Sequence, residues 1–201
     1  MADNKFSTSM SMGAYHIANN QIEYNPQRKS NFMLALGDFP TSAKLARLGA
    51  PEADLTNDDY IEGWKNNIVI ALKSCDTPGF SQGTIEISRG NSKIKFPGKP
   101  TFKDISVSAY DYMGSDVKDT FLAWQNLSYN STGDFIGNKS AYKIDCTLYE
   151  YTPAGEEVRH WDIKGAWLSE VNIDGFDTED DGVAMINATI VYDWAQMKLP
   201  D

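Results

Sequence analysis

Between residues 67 and 196 apolar side chains recur at every second position, with one clear interruption. That two-residue period constrains this chain more than any other feature. In an extended strand successive side chains point to opposite faces, so alternation of apolar and polar residues builds a half-buried sheet. "NIVIALKS" sets Ile68, Ile70 and Leu72 against Val69, Ala71 and Lys73, and predicts a strand. In "GTIEISRGNSKIKF", Ile85 and Ile87 alternate with Thr84, Glu86 and Ser88. Gly90-Asn91 supplies a tight turn, and Ile94 and Phe96 continue the pattern, which predicts a hairpin. "PTFKDISVSAY" presents Ile105, Val107 and Ala109 on one face. "AYKIDCTLYEY" presents Tyr142, Ile144, Cys146 and Leu148. "MINATIVYDWA" presents Ile186, Ala188, Ile190, Tyr192 and Trp194. In "EVRHWDIKGAWLSEV" Gly165 breaks the run, which predicts a bulge or a close backbone approach. Upstream, "NFMLALGDF" reads as a first strand with Phe32, Leu34 and Leu36 on one face.

The interruption is "SDVKDTFLAWQNL". Ser115 suits an N-cap, Asp116 and Asp119 favour the positive end of the helix dipole, and Val117, Phe121 and Trp124 form one stripe. "SYNSTGDFIGNKS" follows as a loop. Two short helices are predicted further upstream. "TSAKLARLGAP" has Ser42 as cap and Gly49 and Pro51 as stops, and "LTNDDYIEGWK" has Thr56 as cap. The fold class that results is mainly β (α+β): two packed antiparallel sheets or a β-barrel, with one flanking α-helix at about 115–127 and short helices in an insertion. Residues 1–30, polar and aperiodic, read as an N-terminal arm. Residues 31–201 read as a single β domain with an insertion at about 38–66.

With 201 residues and 41% apolar content, the chain can bury one core of ordinary size. Its formal charge of −10 opposes binding to a nucleic-acid backbone or an anionic membrane, both of which call for clustered Lys and Arg. Cys75 and Cys146 are the only cysteines and both lie in apolar runs, so they read as buried thiols. With His16 and His160 they do not make a zinc set. No run approaches the ~18 apolar residues of a membrane span, and the opening residues lack the pattern of a secretory signal.

The conspicuous chemical candidate is "IDGFDTEDDGVAMINATIVYDW", where Asp174, Asp177, Glu179, Asp180 and Asp181 crowd together before Gly182. Counted from Asp177, the acids fall at positions 1, 3 and 5 of a calcium loop, with Gly182 at 6, but Ala188 stands where the bidentate glutamate belongs. Adjacent acids in one loop also do not make the opposed carboxylate pair of a glycosidase. His160 lies mid-strand beside Trp161 and reads as structural. There is no G-x-S-x-G and no glycine-rich phosphate loop. The reading is a solvated acidic turn, with no catalytic residue, cofactor or metal site, and the chain reads as a non-enzyme whose function lies in its surfaces. A calcium-dependent β-sandwich binding module is the alternative from a different class.

The ordered array "CDTPGFSQGTIEI", "FPGKPTFKDISVSAYDYMGSDVKDTFLAWQNL", "HWDIKGAWLSEVNIDGFD" and "ATIVYDW" resembles the tail tube proteins of contractile-tailed bacteriophages over roughly 67–196. The Thr-Phe-x-Asp strand feeding a helix with Phe121 and Trp124, and the later Ile-x-Gly strand, carry the resemblance. Residues 1–30 and 38–66 are additions to the family's minimal pattern, and Ile105 and Leu168 stand where relatives often have Trp and Pro. The resemblance implies two packed sheets, six copies in a ring and rings stacked into a tube. Its lumen would be acidic and would pass phage DNA without specific binding, and its other partners would be sheath and baseplate proteins. It implies a place in the virion tail, assembled in the host bacterial cytoplasm. A tube of a type VI-like or other contractile injection system shares the fold and is the nearer alternative. On this reading Ile85, Ile87, Arg89, Lys93, Lys95 and Phe96, together with the 1–30 arm, are the candidates for contact between subunits.

Overall fold

The computed structural model describes residues 27–37, 68–113, 117–131, 133–175, 177 and 181–200. Two antiparallel sheets share one long strand. Strands β1 (Phe32–Leu36), β8 (Ile144–Tyr151), the first half of β9 (Glu157–Ile173) and β11 (Trp194–Lys198) form one sheet. The second half of β9, with β10 (Met185–Val191), β5 (Ile105–Tyr110) and β2 (Leu72–Cys75), forms the other. Two smaller hairpins stand apart: β3 (Gly79–Arg89) with β4 (Ser92–Lys103), and β6 (Tyr129–Asn130) with β7 (Phe135–Ile136). Of the two arrangements expected, the packed sheets hold, and among the described residues no barrel closes.

The strand shared by both sheets changes partners at Gly165. Ile144 pairs with Ala166 but Cys146 pairs with Ile163, so β9 carries one extra residue there. Gly165 takes φ +67, where a side chain is strained, and a Cβ at this position would collide with the Asp193 carboxylate. The bulge expected at Gly165 is therefore present, and the close approach is that of the Asp193 side chain rather than of another backbone. Lys143 Nζ holds the same Asp193 at 2.5 Å. Asp145 accepts from Lys164 Nζ at 2.8 Å and from the Gly165 amide at 3.2 Å. The Lys164 ammonium beside it holds the Asp145 carboxyl below its usual range, and the carboxylate in turn raises Lys164.

The inner faces are those the alternation predicts. Leu34, Leu36, Ile144, Cys146, Leu148 and Ile163 come from one sheet, and Ile105, Val107, Ala109, Ile186, Ala188 and Ile190 from the other, all buried in one core. Helix α1 (Val117–Ser128) lays Val117, Phe121, Trp124 and Leu127 onto that core, and the Trp124 indole donates to the Tyr142 carbonyl at 3.0 Å. Cys146 is buried and Cys75 half-buried, both as free thiols, and burial pushes each up to about 12. His160 Nδ1 lies 2.6 Å from Glu157 Oε1, a structural contact on the outer face of β9.

Four expectations change. Residues 68–71 are helical rather than extended. Ile68 and Ala71 are buried while Ile70 is exposed, the i, i+3 spacing of a helical turn, and only β2 continues as strand. "PTFK" belongs to β4 and leaves the sheet before β5 begins. The loop after α1 contains the β6–β7 hairpin and a single helical turn, α2 (Lys139–Tyr142). Trp194 does not share the face of Ile186 to Tyr192. The chain bends at Asp193, whose amide donates to the Lys164 carbonyl, and Trp194 opens a new strand with its side chain exposed. The predicted helices at 41–51 and 55–65, the Ser115 cap and most of the 1–30 arm lie outside the described residues. No helix among the described residues is long and apolar enough to cross a membrane.

Candidate functional site

The β3–β4 hairpin is longer than expected and projects alone. Its eleven-residue first strand, at about 3.4 Å per residue, reaches roughly 35 Å from base to tip. Gly90 takes φ +59 in the two-residue connection, which lets Arg89 pair directly with Ser92. The register sorts the side chains. Ile85 pairs with Phe96 and Ile87 with Ile94, while on the opposite face Glu86 pairs with Lys95 and Ser88 with Lys93. Glu86 holds Lys93 at 2.9 Å and approaches Lys95 at 3.7 Å.

Such a ribbon ordinarily packs its apolar face on a core. Here Ile85, Ile87, Ile94 and Phe96 stay 37–55% exposed. Isolated two-stranded ribbons are marginal in water, and a contiguous exposed apolar patch marks an interaction surface. Charge is concentrated here too. Residues 79–103 hold five bases (Arg89, Lys93, Lys95, Lys99 and Lys103) against one acid, Glu86, in a chain of net charge −10. The six residues expected to form the contact, Ile85, Ile87, Arg89, Lys93, Lys95 and Phe96, are thus brought together on one projection.

Among the described residues the hairpin is anchored at its base. Phe102 packs on Tyr192 with ring centroids 5.6 Å apart. The Tyr192 hydroxyl donates to the Gly79 carbonyl at 3.2 Å and accepts from the Gly79 amide at 3.3 Å. Burial, offset in part by the bond to Gly79, pushes the Tyr192 phenol up.

The acidic stretch connects β9 to β10. Asp174 is built into the turn: its amide donates to the Met185 carbonyl at 3.0 Å, and its Oδ2 accepts from the Met185 amide at 3.0 Å. This pair of hydrogen bonds ties the loop ends together and uses the carboxylate as a structural acceptor. Asp177 and Asp181 are exposed, and Glu179 and Asp180 lie outside the described residues. Among the described residues no group of three or more His, Cys, Asp or Glu is placed to hold a metal ion.

Two rows on the outer face of the second sheet are hydrophilic, beside a row of Tyr110 and Met185 on which the Lys73 ammonium lies. Ser74, Ser108, Asn187 and Asn172 form one row across its strands, and Ser106, Thr189 and Glu170 form the next. Ser108 donates to Asn187 at 2.6 Å. The alternation made this face legible as polar, but not as a sheet of small neutral residues.

A family model described as T4-like virus tail tube protein gp19 matches residues 59–196. The chain belongs to this family. The resemblance read from the strand and helix motifs is thus the family that the match shows. Tail tube protein gp19 of Enterobacteria phage T4 is 26% identical over 107 residues, which cover 52% of this chain and 66% of that protein. The T6 protein matches to the same extent. The match thus spans slightly less than two thirds of the length of these tail tube proteins. Among solved structures, a chain of the sheath–tube complex of an extracellular contractile injection system, PVC, in its extended state has a TM-score of 0.61 at 20% identity, covering 96% of this chain and 100% of that one. A chain of the anti-feeding prophage tube-terminating cap has a TM-score of 0.60 at 16% identity, covering 88% and 93%. These two likenesses show a common fold.

Proposed function

We infer that this tail tube family member is a structural subunit of a phage tail tube. It assembles as six copies per ring, with the rings stacked into a conduit for DNA. The observation that carries the reading is the β3–β4 hairpin, a ribbon with an apolar face that stays 37–55% exposed and a basic charge opposite to the chain's net sign. Such a ribbon is completed by a second molecule. The tube works with sheath and baseplate proteins in the virion tail, and no catalytic chemistry is assigned to it.

The lumen wall on this reading is the outer face of the second sheet. Serines, asparagines and Thr189 in these rows offer DNA no cation, Glu170 repels phosphate, and the ammonium at the end of the face, Lys73, is turned onto Tyr110 and Met185. The net charge of −10 per copy adds a like-charge field that keeps DNA sliding. The acidic character lies in the sum of the chain and at the end of this sheet more than on its face. Residues 31–201 form the tube domain. The 1–30 arm acts between rings, with Gln27 bonded to the Tyr151 carbonyl at 2.8 Å where the arm leaves the body.

Negative-stain microscopy and sedimentation velocity of concentrated protein test the reading. Rings or tubes of uniform diameter are the expected result. A monomer at every concentration and salt, with or without a baseplate seed, refutes it.

A further inference from the structure

The β3–β4 hairpin is two ribbons in series. Residues 79–82 pair with 100–103 in one register, and 84–89 pair with 92–97 in another, displaced by one residue. Between them Gly98 and Lys99 of β4 stand opposite the single residue Gly83 of β3, a bulge. The extra residue decides which way each ribbon faces. β3 alternates through Gly83 without a break, so Phe80 lies on one face and Ile85 and Ile87 on the other. The bulge moves β4 by the same step, which keeps Phe102 opposite Phe80, and Phe96 and Ile94 opposite Ile85 and Ile87. The inner ribbon puts its aromatic face on the body: the Phe102 ring centroid lies 5.6 Å from that of Tyr192 and 6.0 Å from that of Phe80. The outer ribbon carries its apolar side chains on the opposite face, where they stay exposed.

The junction is the weak point of the ladder. Pro97 and Pro100 bracket it, and neither has an amide hydrogen to donate. The backbones approach so closely that a Cβ on Gly98 would come within 3.0 Å of the Gly83 carbonyl oxygen, whereas a Cβ on Gly83 would meet nothing within 4 Å. Both flanks, by contrast, are held. The inner ribbon is tied through the Gly79 backbone to the Tyr192 hydroxyl at 3.2 and 3.3 Å. The outer ribbon is tied within itself: Lys93 Nζ donates to Glu86 at 2.9 Å, and Ser92 Oγ donates to the Arg89 carbonyl at 3.0 Å across the turn.

We propose that the hairpin is jointed: residues 84–97 swing as one body about Gly83 and Gly98, on a base fixed by Tyr192. A fraying ribbon loosens progressively toward its tip, whereas a joint gives a step between two stiff pieces. On the tail tube reading the joint has a use. It lets a subunit already placed by its body bring the face of Ile85, Ile87, Ile94 and Phe96 onto a neighbour, and that contact then stiffens it. The joint itself does not depend on that reading.

Nitrogen-15 relaxation of the full chain, kept dilute enough to remain monomeric, reads the joint directly. Backbone order parameters of about 0.85 are expected in the two sheets and in residues 79–82, with a drop at Gly83 and Gly98 to one common value of about 0.6 across residues 84–96. Deleting Lys99 removes the bulge and leaves every other pair of the ladder in place, and Gly83→Val adds a stiff side chain where there is room. The two changes together should raise residues 84–96 to the value of the body. In a pelleting assay the same variant should need about tenfold more protein to polymerise, because a neighbour can no longer aim its outer ribbon. Thermal melts confirm that the variant folds. Parent order parameters equal to those of the body, or falling gradually toward Gly90, or a step that the variant leaves in place, overturn the joint. A stiffened variant that polymerises like the parent overturns its use in assembly. A parent that never polymerises overturns the tube reading, while the relaxation data decide the joint alone.

Discussion

Replacing Ile85 and Ile87 by serine should weaken assembly while sparing the fold, and the structure sets the size of the effect. The two side chains are 54% and 55% exposed, so about half of each is left to be buried by a neighbouring copy. Full burial of such a side chain is worth about 1.5–3 kcal/mol, which leaves about 1 kcal/mol for each exposed half and about 2 kcal/mol for the pair. That corresponds to roughly a thirtyfold rise in the concentration at which subunits add to a polymer. The factor multiplies if subunits add as preformed rings. Within the monomer neither side chain reaches the core, so the melting transition should move by no more than an exposed substitution allows, about 0.5 kcal/mol. Pelleting across a protein dilution series, paired with thermal melts, reads both numbers. A double variant that pellets like the parent shows that the exposed face is not an interface. One that unfolds shows that the hairpin is part of the folding core. Either result refutes the reasoning.

Two further outcomes follow from the point where β9 changes sheets. Gly165→Ala should cost about 2–3 kcal/mol, from the strain of a side chain at φ +67 and displacement of Asp193 from Lys143. In a protein of this size that lowers the melting temperature by roughly 4–12 °C, and the loss should shrink in an Asp193→Ala background. Asp145→Asn should flatten the acid limb of stability. The Asp145 carboxyl is held below its ordinary 3.8 by Lys164, so its contribution is present above about pH 4 and is lost as pH falls through the lowered value. Melting temperatures from about pH 5 down to pH 2 should fall less steeply in the variant than in the parent.

The buried faces of nearly every strand were legible because a half-buried strand must alternate, and Ile105–Ala109, Ile144–Leu148 and Ile186–Ile190 do. The same signal failed where it is degenerate. Ile68 to Ala71 is apolar at all four positions, which suits a helical turn as well as a strand. At Asp193 one polar residue in an otherwise regular alternation hides a bend that sends Trp194 to the other sheet. Gly165 was readable as an irregularity, but its role in passing one strand between two sheets depends on Asp145 and Asp193, distant in sequence. The hairpin announced itself through Gly90-Asn91 and segregated charge. Its exposure did not, since the same alternation suits a ribbon packed on a core. The acidic loop began like a calcium loop but read as a turn for want of the twelfth ligand, and Asp174 closes that turn on Met185.

The central claim is the proposal that the exposed face of the hairpin is covered by a second copy of this tail tube family member. A cryo-electron microscopy reconstruction of polymer grown from the purified chain tests it most directly. The account predicts density for Ile85, Ile87, Ile94 and Phe96 buried against an adjacent copy. A tube in which the hairpin lies in solvent contradicts it.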